Sequence, residues 1–165
     1  GALAGDGSGF VLPPFLPEAA EGLPVYEPAD LAKDEEPEPL AKVSVPGAPE
    51  GAFVAQLARP TLERMGNGEL AADAWVVFTP TEADDFAASN RDHTPRLLVS
   101  EAGAFNATND RWTFGLPRLR KDKVSILYRS HVAPRSETPL ATDVKVVGRA
   151  YGVFVDGVLL KLGGA

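Results

Sequence analysis

Residues 143–162 read DVKVVGRAYGVFVDGVLLKL, and this stretch decides the fold. Its Asp156-Gly157 dipeptide stands between two runs rich in β-forming residues. A type I′ turn needs positive φ at both central residues, which Asp tolerates and Gly adopts freely. The stretch therefore predicts an antiparallel hairpin whose opening strand is long enough to cross a whole sheet. Its closing run is Val158, Leu159, Leu160 and Leu162. The alternation slips at Val147-Gly148, which predicts a β-bulge. Gly148, Ala150 and Gly152 are then expected on one face. Small residues there leave room for another backbone, or for large rings such as Trp75 and Trp112.

Working upstream, residues 123–132 (KVSILYRSHV) alternate, with Val124, Ile126, Tyr128 and Val132 on one side. Shorter strands are expected at 42–45 (KVSV), 52–58 (AFVAQLA), 96–99 (RLLV) and 111–114 (RWTF). Residues 74–79 (AWVVFT) form an unbroken apolar run, the pattern of a strand buried on both faces. Residues 81–89 (TEADDFAAS) read as a short helix capped by Thr81, and 60–68 as a helical turn. Residues 116–122 and 133–142 read as connectors. Many short strands with turn signals between them predict an all-β fold, an antiparallel β-sandwich or barrel of jelly-roll-like form with one or two short helices.

Residues 1–50 differ from the rest. They hold nine of the fifteen prolines, with ten acidic and two basic side chains, whereas 51–165 carry thirteen acidic and fourteen basic. The division expected is an extended, Pro-rich acidic arm over 1–40 and a β-sandwich domain over 41–165. Within the arm, residues 10–17 (FVLPPFLP) are apolar but cannot form a helix. Residues 24–26 suggest a short edge strand, and 30–39 (DLAKDEEPEP) an acidic linker. An arm of this kind gains order only by lying on its own domain or on neighbouring chains.

Composition narrows the chemistry. With no cysteine there are no disulfides, thiolate metal sites or cysteine nucleophiles. His93 and His131 are the only histidines, too few for a multi-histidine metal centre. A net charge of −7 gives no cationic field for direct nucleic-acid binding. No apolar run approaches the ~20 residues of a membrane helix. The chain begins at Gly1, which fits either removal of an initiator Met or proteolytic processing.

No catalytic constellation emerges. Asp84 and Asp85 are adjacent in a predicted helix, so they diverge by about 100° and suit its N-terminal dipole better than a metal. The Asp6-Gly-Ser-Gly run lacks the later ligands of a calcium loop. No GxSxG elbow or phosphate-binding loop is present. Asn106-Ala-Thr fits the glycosylation acceptor pattern, but a three-residue pattern arises often by chance. The expectation is a non-enzyme with no cofactor.

Two interaction readings follow. In the first, the chain is a structural assembly protein, a capsid, decoration or cement-type subunit of a virion. It forms a homo-oligomer or a larger assembly with other structural proteins. Its arm residues Phe10, Val11, Leu12, Phe15 and Leu16 contact neighbouring subunits, and Arg118, Arg120 and Lys121 receive the acidic segment 34–38 of the same or another chain. In the second, it is a secreted or cell-surface ligand-binding module, with Trp112 and Tyr151 as rings for stacking a carbohydrate.

Overall fold

A computed structural model describes residues 11–33, 35–57, 74–82, 94–100, 111–120, 123–128, 136–139 and 144–161. Ten strands are present: β1 (Glu18–Val25), β2 (Ala41–Val43), β3 (Phe53–Gln56), β4 (Trp75–Thr79), β5 (Arg96–Val99), β6 (Trp112–Arg120), β7 (Lys123–Tyr128), β8 (Ser136–Pro139), β9 (Lys145–Val155) and β10 (Val158–Lys161). The one helical element among the described residues is a 3-10 helix, Pro28–Ala32. The chain is thus mostly β. Both helices expected from the sequence, at 60–68 and 81–89, fall largely outside the described residues.

The strands pair in the order β2-β1-β3-β4-β9-β5-β6-β7-β8, with β10 also on β9. Every pairing among the described strands is antiparallel except β1 with β3, which is parallel through Val25 and Val54. The purely antiparallel expectation is corrected at that one place. The barrel is corrected too: β2 and β8 end the path, and among the described residues they do not pair with each other.

β9 organises this sheet as its length suggested. Asp156 and Gly157 take φ of 51° and 80°, both positive as a type I′ turn requires. β4 pairs with one side of β9. The other side is shared end to end by β5 and β10, because Arg149 faces both Thr79 and Arg96, while Gly152 faces both Val77 and Lys161. Two bulges let β9 serve all three. Leu97 pairs with Gly148 and Leu98 with Val146, which leaves Val147 as an extra residue where the sequence predicted one. Val77 pairs with Gly152 and Phe78 with Ala150, which makes Tyr151 a second extra residue that the sequence did not announce.

The second bulge corrects the expected small-residue face. Gly148 and Ala150 lie over Phe53 and Phe78, and a Cβ on Gly148 would come within 2.8 Å of the Phe53 ring. Beyond Tyr151 the phase inverts, so Gly152 faces Leu159 on the opposite side. The rings that fill the space are therefore phenylalanines, not Trp75 or Trp112.

Two apolar clusters cover the two faces of the central strands. On one, Phe53, Val76, Phe78, Leu97, Phe114 and Val153 pack with their neighbours. On the other, Leu16, Val25, Val43, Val54, Trp75 and Val77 do so. β4 contributes to both, so the run at 74–79 is buried on both faces as its sequence predicted. The sheet also curls. β4 and β6 stand three positions apart, about 14 Å if flat, yet Phe78 and Phe114 meet edge to face at 5.8 Å between centroids. The 3-10 helix packs on β5 and β6 from the same side.

Two segments expected to be connectors contain strand. Residues 116–120 extend β6, and β8 lies within 133–142. The supposed edge strand at 24–26 belongs to an eight-residue β1 with β2 on one side and β3 on the other. Packing therefore crosses the expected boundary at residue 40. β2 pairs with nothing but β1 among the described strands.

Candidate assembly surface

The arm approaches the sheet through residues 11–17. Pro13 accepts a hydrogen bond from the Leu16 amide at 3.1 Å, a turn compatible with the Pro-Pro pair. This turn aims Leu16 into the cluster with Val25, Val43 and Val77, where it is 1% exposed. Full burial of such a side chain contributes roughly 1.5–3 kcal/mol. Phe15 lies tilted against Phe154 with centroids 5.0 Å apart, and its Cβ is 3.6 Å from where a Cβ on Gly157 would stand. Leu12 is half-buried on the same cluster. The arm is thus seated on its own domain at the β9–β10 turn. Val11 alone stays open, at 74% exposure. Phe10 lies outside the described residues.

At this corner β10 presents two more exposed apolar side chains, Val158 at 59% and Leu160 at 49%. They are i and i+2 on one face, opposite Val155 and Val153 of β9. Leu159 and Lys161 point the other way. Leu159 packs on the cluster that holds the arm, and the Lys161 ammonium stands 5.7 Å from the centre of the Tyr151 ring. Val11, Val158 and Leu160 are large hydrophobics left exposed. The sequence did contain a signal for the last two. A terminal run of apolar residues at a sheet edge can bury one alternate set and must show the other to solvent.

The other sequence candidates are spread over several elements. Trp112 is half-buried against the phenylalanine cluster, whereas Tyr151 packs on the opposite cluster and donates to the Gly47 carbonyl at 3.3 Å. The structure does not bring the two rings together as one stacking platform. Arg118 and Arg120 lie on β6, opposite Ser125 and Lys123 of β7, and Lys121 is outside the described residues. Glu35, Glu36 and Glu38 are exposed on the segment after the 3-10 helix, which itself packs on β5 and β6. Asp84, Asp85, His93, Asn106 and His131 lie outside the described residues.

Among the described residues no three His, Cys, Asp or Glu side chains gather as metal ligands. No helix among them is long and apolar enough to cross a membrane. Among the described residues Arg96 is a deeply buried charge, 1% exposed, and donates to the Thr94 carbonyl at 2.6 Å.

One carboxyl is perturbed. Desolvation, reinforced by the nearby Asp30 carboxylate, holds Glu27 above the usual glutamate range. It caps the 3-10 helix without a side-chain hydrogen bond, while Asp30 pairs with Lys33 at 3.0 Å. A raised folded pKa contributes stability at low pH that is lost as pH rises through it. Glu27→Gln should therefore melt slightly higher than the parent at pH 7, and the gap should close below about pH 4. Thermal melts across that range check this; a gap that ignores pH refutes it.

Neither models of known protein families nor curated protein sequences match this chain.

Proposed function

We propose that this chain is a structural, non-enzymatic subunit that works by assembling with other chains, as a capsid, decoration or cement-type component of a virion does. The observation that carries the reading is where apolar surface stays open: at Val11, where the docked arm begins, and on β10. The same reading takes the curled sheet as one layer of a jelly-roll-like sandwich.

Because Leu12, Phe15 and Leu16 are held by their own chain, contacts with neighbours fall to Val11 and the residues before it. Deleting residues 1–11 is expected to keep the melting temperature within a few degrees and to lower the particle mass measured by light scattering. Retention of the full assembled mass by that variant would remove the arm from the mechanism.

A further inference from the structure

We propose that β10 is a pairing edge for a second copy of this chain, joined antiparallel about a twofold axis at Leu159. The proposal rests on the reading of the chain as an assembling subunit and names the surface and the partner. β10 pairs with β9 on one side, and no described strand occupies its other side. An edge of this kind offers a row of backbone donors and acceptors to another strand. Of the usual protections, β10 has only its short length and a single Lys161.

Its sequence is complementary to itself in one register. In an antiparallel pair, directly opposite residues share a face, so a twofold axis through Leu159 sets Val158 against Leu160 of the copy. The two open side chains of each strand then merge into one group of four. Registers that place Val158 opposite Leu159 would set an exposed side chain against one on the other face, and the pleat forbids that.

Charge follows the same symmetry. Asp156 stands in the turn before β10 and Lys161 at its far end, and both are exposed. Antiparallel pairing lays each acidic end beside the copy's basic end, with Lys161 opposite Gly157, which has no side chain to obstruct it. A twofold contact also closes on itself, giving a dimer instead of an open filament.

The absence of cysteine permits a direct test on the full chain. In the proposed register Leu159 faces its own copy at about 4.5–5.5 Å between Cα atoms, within disulfide range. Leu159→Cys should therefore form a covalent dimer under oxidised glutathione. Val158→Cys alone should not, but mixed with Leu160→Cys it should. The Val158→Lys/Leu160→Lys double variant, altered at exposed positions, should fold normally and weaken dimerisation at least 100-fold by sedimentation equilibrium. Lys161→Glu should weaken it about tenfold. A parent chain that stays monomeric at every concentration overturns both the pairing and the assembly reading. An oligomer that survives the double lysine variant, or Leu159→Cys that fails to cross-link, overturns the pairing alone.

Discussion

A chain starting at Ala41 is expected not to fold, although composition marks residues 1–40 as a separable arm. Removing them deletes β1, the only described strand that pairs with β2 and the parallel neighbour of β3. It also takes Leu16 and Val25, both 1% exposed, together with the half-buried Leu12, Phe15, Leu23, Tyr26 and Leu31. At roughly 1.5–3 kcal/mol for each fully buried side chain and a smaller amount for each partly buried one, the loss reaches the 5–15 kcal/mol of a typical domain's whole stability. The backbone bonds Tyr26 N–H to Val54 C=O and Leu40 N–H to Val25 C=O go with it. A chain starting at Val11 loses none of these. Circular dichroism should show a cooperative melt for the second and none for the first. A chain from Ala41 that melts within a few degrees of the parent would show that the arm lies on the sheet without supporting it.

The contrast between arm and sheet also explains what the sequence disclosed. β5, β4 and the β9–β10 hairpin were legible because their own residues favour the pleat: Leu97, Leu98, Val99, Trp75 to Phe78, and a turn dipeptide with one permitted geometry. Most of β1 was not, because EAAEGLPV contains little that prefers a strand and a proline that cannot donate. It becomes a strand through partners distant in sequence, Val43 and Val54, which single-chain periodicity does not register. The Tyr151 bulge was hidden for a related reason. The alternation through Ala150, Tyr151 and Gly152 looks regular until β4 and β5 must share one long strand. The assembly surface was half visible: the arm's apolar residues stood out, but which of them remain free depends on the cluster that takes Leu16. Val158 and Leu160 stand out as surface only once β10 is seen to lie at an edge.

The costliest single methyl group in the described structure should be the one added at Gly22. β1 bends there, since Glu18 and Leu23 both pair with Val43 and the four residues between them arch over one partner. A Cβ on Gly22 would overlap the Val43 carbonyl oxygen and stand 2.5 Å from its carbon, and both of those atoms are backbone. No rotamer change relieves that contact, so β2 must move. Val43, fully buried, then loses packing worth roughly 1.5–3 kcal/mol. The bond from the Ser44 amide to the Pro17 carbonyl adds about 1 kcal/mol. Gly22→Ala should thus cost about 2–4 kcal/mol. Gly47→Ala is the informative comparison: φ is +82° and nothing lies within 4 Å, so the price is backbone strain alone, roughly 1–2 kcal/mol. Urea midpoints at unchanged slope separate the two. If Gly22→Ala costs no more than Gly47→Ala, β2 moves freely and is not held by the strand that the arm provides.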